Sequence, residues 1–258
     1  MLGAIIGDIV GSVYEFHNIK TKDFPLFCEQ SCFTDDTILT CAVAEWIIRG
    51  GQGEKFLKKW GHLYSNRTYE NGTISPFGAH FTNWLKTGVS SNSMTNGCVM
   101  RISPLFKLPS FDQALQKGTE ITHITHNHPQ SLNAVSAYLE TGYMLKANIP
   151  ISDIKRYISD KYWYNLNRPI DVIRQEYNKF YCSCDKSVPE AISCALEATS
   201  YEDAIRNAVS LGGDSDTLAC MTGGLAEIRF KIPEHIKITA QSFMDKNVKK
   251  MIKQFYRR

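Results

Sequence analysis

Two short stretches carry residues able to do chemistry together: Thr34-Asp35-Asp36-Thr37 and, far downstream, Gly212-Gly213-Asp214-Ser215-Asp216-Thr217. Each sets two carboxylates and a threonine hydroxyl at what reads as the first turn of a helix. One acid per helix start is ordinary, since Asp and Thr accept hydrogen bonds from unpaired amides and suit the positive end of the helix dipole. Capping leaves the second acid in each cluster unexplained. Brought together, the four carboxylates would carry about four negative charges into one pocket, and an uncompensated pair at ~4 Å costs roughly 4 kcal/mol at an effective dielectric near 20. Two divalent cations would cancel that charge. With no Cys or His inside either cluster the donors are hard oxygens, which favours Mg2+, Mn2+ or Ca2+ over Zn2+ or copper.

These clusters must be delivered by helices. Residues 2 to 16 read as a buried helix in which Gly3, Gly7 and Gly11 recur every fourth residue, a stripe that admits another backbone at a cost of roughly 1 kcal/mol per glycine. Asp8, Ser12 and Glu15 then form a polar line on a helix otherwise wrapped by Ile5, Ile6, Ile9, Val10 and Val13, and such a line is expensive to bury without partners. Thr34 is a plausible N-cap for a helix running through Ile38, Leu39, Ala42, Val43, Trp46 and Ile47 to the glycines at 50–53. Phe56 to Tyr64 and Phe77 to Leu85 mark two more helices, separated by a polar loop over 66–75. Residues 88–95 are small and polar. They read as a surface loop, or as amides exposed to an anion ahead of Asn96-Gly97-Cys98-Val99-Met100-Arg101.

A helix over 111–125 runs into Thr125-His126-Asn127-His128-Pro129, and Pro129 suits the first turn of the next helix, over 131–145. His123, His126 and His128 straddle this break without a fixed ligand geometry, so substrate contact by one of them is a better reading than a metal site. Residues 148–185 are helices and loops of an outer shell. Ser187 with Glu190 and Ser200 with Asp203 resemble capping boxes. Long alternating segments are missing, so the fold class is all-α, and 258 residues without a linker predict a single domain over 1–258.

Composition removes several classes. A net charge of +3, with basic residues concentrated only after Lys246, does not make a nucleic-acid track. The acid at Asp8 and the absence of a basic n-region argue against a signal peptide, and no apolar run is long enough for a membrane span. Eight cysteines without a secretion signal read as reduced thiols. A cytoplasmic monomer is the expectation.

Gly7 to Glu15, Thr34 to Thr37, Asn96 to Arg101, Thr125 to Pro129 and Gly212 to Thr217 together resemble the successive signatures of the ADP-ribosylglycohydrolase family, in the family's order across most of the chain. The resemblance implies a compact, orthogonal helical domain with a binuclear Mg2+ or Mn2+ centre. It puts Thr34, Asp35 and Asp36 in the first ligand group and Asp214, Asp216 and Thr217 in the second. It implies catalytic roles for Glu15, Asp35 and Asp36. Ser93, Asn96 and Gly97 would lie on the loop that wraps the diphosphate and distal ribose, although serines and asparagine stand at 90–93 where the family loop is often glycine-rich. His126 would contact ADP-ribose.

The implied reaction is hydrolysis of the bond between C1″ of ADP-ribose and an acceptor, on an ADP-ribosylated protein or a small adduct. Arginine, serine, acetyl, base and guanidine acceptors all remain open. A non-catalytic ADP-ribose binder or structural member is the alternative within the family. A two-metal phosphoesterase is the alternative outside it.

Overall fold

A computed structural model describes residues 1–67 and 76–257. Most of the polar loop expected over 66–75, with Asn71, lies outside the described residues. Thirteen α-helices are present among them: α1 Leu2–Gly11, α2 Asp35–Arg49, α3 Gly53–Tyr64, α4 Ala79–Thr87, α5 Phe111–His123, α6 Pro129–Lys146, α7 Ile151–Tyr162, α8 Ile170–Glu176, α9 Cys184–Glu197, α10 Tyr201–Ser210, α11 Ser215–Arg229, α12 Glu234–Ser242 and α13 Lys246–Tyr256. Two short 3₁₀ turns, Asn96–Cys98 and Ser103–Lys107, follow α4. The described residues form no strand, only isolated bridges, so the all-α expectation holds. None of these helices is long and apolar enough to cross a membrane.

The core is built around α1 lying along α11. A helix apolar on every side belongs in the interior, and α1 is buried from Gly3 to Gly11. Its glycine stripe now has a partner: a Cβ on Gly3 would collide with the carbonyl of Gly223, on Gly7 with that of Ala219, and on Gly11 with the backbone of Ser215 and Asp216. The stripe thus seats the end of α1 against the first turn of α11, where the second acid cluster begins.

Three local expectations change. Helix α1 stops at Gly11 instead of reaching 16, because the chain turns: Tyr14 N donates to Gly11 O, and Asn18 Nδ2 donates to the carbonyls of Tyr14, Glu15 and Gly213. Asp8, Ser12 and Glu15 therefore do not share one helical line. Ser187 is not an N-cap, since α9 starts three residues earlier behind Ser183, and Glu190 pairs with Arg168 instead. Segment 88–95 is not a free loop. Ser91 pairs with the 125–127 backbone, while Asn96 N donates to Cys182 O and Cys184 N to Met94 O, stitching the segment to two other parts of the chain. Ser200 does cap α10, accepting from Asp203 N, and Thr34 caps α2, accepting from Asp36 N. All eight cysteines are free thiols.

Candidate active site

Both acid clusters open onto one cleft of about 440 Å3, whose wall includes Glu15, Asp35, Asp36, Asn96, Asp214, Asp216 and Thr217. Two groups of carboxylates lie with oxygens within 4.8 Å of one another: Asp8, Asp36 and Asp216, and Glu15, Asp214 and Asp216. Asp216 is common to both. Asp36 Oδ1 and Asp216 Oδ1 are buried without a hydrogen-bond partner. Thr217 Oγ1 donates to Asp36 Oδ2 at 3.2 Å, which ties the start of α11 to the start of α2.

Asp8 was visible in the sequence only as part of a polar line, and the structure explains why an apolar helix carries it. Its oxygens accept from Thr34 N at 2.9 Å, Thr34 Oγ1 at 2.7 Å and Thr37 N at 3.0 Å, with Thr37 Oγ1 as a fourth donor. One of those donors is the amide of the N-cap of α2 and another an amide of its first turn, so Asp8 anchors the helix that bears Asp35 and Asp36. The same bonds occupy Thr34, whose hydroxyl faces Asp8 and Asp36 and which is not part of the cleft wall. Asp35 lines the cleft but stands outside both close carboxylate groups.

Glu15 reaches the site from the turn after α1. Asn18 places it: besides its bonds to the 14 and 15 carbonyls, Asn18 Oδ1 accepts from Gly213 N at 2.8 Å. Gly212 and Gly213 both adopt left-handed backbone, with φ +73° and +70°, the conformation that delivers the chain into Asp214 and that glycine adopts without strain. Asn18 therefore clamps the Glu15 turn to the Asp214 turn, a role with no signature in the sequence.

The electrostatics follow from this crowding. Burial raises the pKa of Glu15 to about 8, with Asp214, Asp35 and Asp8 adding repulsion, and burial followed by Asp8 and Asp214 brings Asp35 to about 8 as well. Burial and neighbouring acids hold Asp36 and Asp216 well above the ordinary carboxylate range. Arg101 supplies the only guanidinium or ammonium group among the described lining residues. A hard-oxygen donor set, orphaned carboxylate oxygens and mutual repulsion fit a pair of divalent cations. Asp8, Asp36 and Asp216 on one side and Glu15, Asp214 and Asp216 on the other are the carboxylates close enough together that they could hold them.

Asn96 lines the cleft, and its Nδ2 donates to Asp214 Oδ2 at 2.7 Å. Gly97 lines it too, whereas Ser93 is buried behind it, its hydroxyl against Thr95 Oγ1 at 2.9 Å. His126 belongs to a hydrogen-bonded chain that runs from Arg101 through Thr125 to Thr95. Arg101 Nη2 donates to Thr125 Oγ1 at 2.7 Å, and the same hydroxyl is hydrogen-bonded to His126 Nδ1 at 2.8 Å. His126 Nε2 is hydrogen-bonded to Thr95 Oγ1 at 3.0 Å. Burial, with Arg101 behind it, lowers the pKa of His126 to about 3, so the ring is neutral. Both of its nitrogens are engaged with the chain itself.

The chain is an all-helical protein in which two acid-bearing helix starts meet in one cleft. The sequence profile of the ADP-ribosylglycohydrolase family matches residues 1–247, and the chain belongs to that family. It is 24% identical to a protein of Acanthamoeba polyphaga mimivirus named "Putative ADP-ribosyl glycohydrolase L543", over 87% of this chain and 84% of the relative. It is 23% identical to the ADP-ribosylarginine hydrolase Tri1 of Pseudomonas putida (strain GB-1), over all of this chain and 77% of the relative. A solved structure described as an ADP-ribosylglycohydrolase-related protein complex superposes with a TM-score of 0.69 at 18% identity, covering 99% of this chain and 96% of that one.

Proposed function

We propose that this protein is a divalent-metal-dependent hydrolase that cleaves the C1″ glycosidic bond between ADP-ribose and an acceptor, reversing ADP-ribosylation. The observation that carries the reading is the convergence of Asp36 and Asp216, each with an orphaned buried oxygen, beside Glu15 and Asp214 in one open cleft. Family membership supports the hydrolase class, and the name of the P. putida relative supports a nitrogen-linked acceptor.

Divalent cations held by these acids would supply positive charge that offsets them and would lower the pKa of water at the site. The chain's own residues account for the rest. Cleavage builds positive charge on the ribose, and the carboxylates around the cleft stabilise it. Glu15 stands at the junction of the turn and the acid group, and in its ionised form, favoured when the charge of the neighbouring acids is offset, it takes the proton of the attacking water and returns it to the departing acceptor. The C1″ bond to the acceptor breaks, the water oxygen takes its place, and the acceptor leaves protonated. Asn96 and Gly97 lie where they would line the ADP-ribose side of the cleft.

The test is release of free ADP-ribose from arginine-, serine- and acetyl-linked substrates with Mg2+ or Mn2+, against EDTA and against Asp36→Ala. Metal-dependent release from one linkage, lost in the variant, is the expected result. AMP as the product would mean phosphoanhydride cleavage and would overturn the reading. So would full activity of Glu15→Gln with metals bound.

A further inference from the structure

Two phenylalanines at the mouth of this cleft are left unused by the acid chemistry. Phe16 follows Glu15 directly and is 71% exposed, and Phe180 is 50% exposed. Both belong to the cleft wall, and their rings lie parallel, 2° apart in plane with centroids 6.2 Å apart. Large aromatic side chains exposed beside a cleft are the informative exception on a protein surface. No packing demand explains them, because each presents half or more of its surface to solvent.

Resting on the hydrolase reading above, we infer that Phe16 and Phe180 form an aromatic platform that selects a planar cationic acceptor, a guanidinium, as the leaving group. The face of a phenyl ring is the negative end of its quadrupole and attracts a cation within about 6 Å of its centroid. A guanidinium is flat and weakly hydrated, so it stacks on such a face where an ammonium or hydroxyl gains less. Location supports the acceptor side. Phe16 is one residue from Glu15, whose carboxylate groups with Asp214 and Asp216, so the platform adjoins the bond to be cleaved. Charge supports a cation: the same wall carries five carboxylates against one guanidinium, that of Arg101, whose Nη2 donates to Ile121 O and Thr125 Oγ1. A seryl or acetyl leaving group makes no use of either feature.

The decisive comparison uses Phe16→Leu and Phe180→Leu, which keep an apolar side chain and remove the ring face. Steady-state kcat/KM is measured on an arginine-linked and a serine-linked ADP-ribosyl peptide, together with equilibrium binding of free ADP-ribose. The expected result is a five- to tenfold fall in kcat/KM on the arginine linkage for each variant, with a much smaller change on the serine linkage. Equal falls on both linkages, or none, would overturn the platform. Weaker binding of free ADP-ribose by the leucine variants would assign the rings to the adenine base and overturn it as well.

The hydrolase reading fails separately. If wild-type protein binds ADP-ribose but releases none from any linkage, binding decides. An arginine-linked adduct that binds the wild type more tightly than free ADP-ribose, with the difference lost in the leucine variants, keeps the platform. Equal binding of the two ligands removes it, and absence of any ADP-ribose binding removes both readings.

Discussion

Asn96 donates its side-chain amide to Asp214 Oδ2 at 2.7 Å, across 118 positions of the chain. The bond orients a carboxylate that also faces Glu15 and Asp216, and it joins the Asn-Gly segment to the second acid cluster. Asn96→Asp would place a like charge against Asp214. We expect a 10- to 100-fold loss of metal affinity or activity, the usual consequence of removing a bond that orients a ligand. Circular dichroism should be unchanged. Wild-type affinity in this variant would show that the bond does not set the ligand.

The acid groups predict opposite effects of one substitution with and without cations. In metal-free protein, Asp216→Asn relieves buried repulsion and should raise the melting temperature. Saturating Mg2+ or Mn2+ should stabilise the wild type by about 2.7 kcal/mol at 100 times Kd, a shift of roughly 5–10 °C for a chain of this size. The variant should lose that shift. Thermal melts with EDTA and with metal check both signs, and a wild type whose melting does not respond to cations would remove the metal proposal.

His126 predicts a pH dependence. Its pKa is near 3 in the folded chain, lowered by burial and by Arg101, against about 6.5 unfolded. The unfolded chain therefore binds the proton first as pH falls, so stability from this group is intact above pH ~6.5 and declines below it until the folded ring protonates. Between pH 7.5 and 4.5 the loss is about 2–3 kcal/mol. Urea denaturation at both values should show a smaller difference for His126→Gln than for the wild type. An unchanged difference would mean that the ring titrates in the folded state.

The α1–α11 contact leaves no space at Gly7. An added methyl there meets the Ala219 backbone, which cannot rotate away as a side chain can. Gly7→Ala should cost about 3 kcal/mol, the upper range for overpacking. Gly78→Ala is the contrast, since nothing lies within 4 Å of its Cβ position and its φ is −59°. Urea midpoints compare the two. Equal stability of both variants would mean that α1 and α11 can separate cheaply.

Much of this protein was written locally. Helix starts at Thr34 and Ser200, the turn at Pro129, the glycine stripe on α1 and the doubled acids of both clusters are properties of a few neighbouring residues, and periodicity and capping expose them. The five ordered motifs also pointed to the family. What only the tertiary structure decided is which of these features meet. The stripe announced a close neighbour without naming α11, and Asp8 on its buried helix called for partners without naming Thr34 and Thr37. The clamp of Asn18 on Gly213 spans 195 positions. The contacts of His126 with Thr95 and Thr125 join residues 31 positions apart to next-door neighbours. These relationships arise when burial withdraws polar groups from water and leaves each to find a partner from a distant part of the chain, and spacing along the sequence does not record that choice.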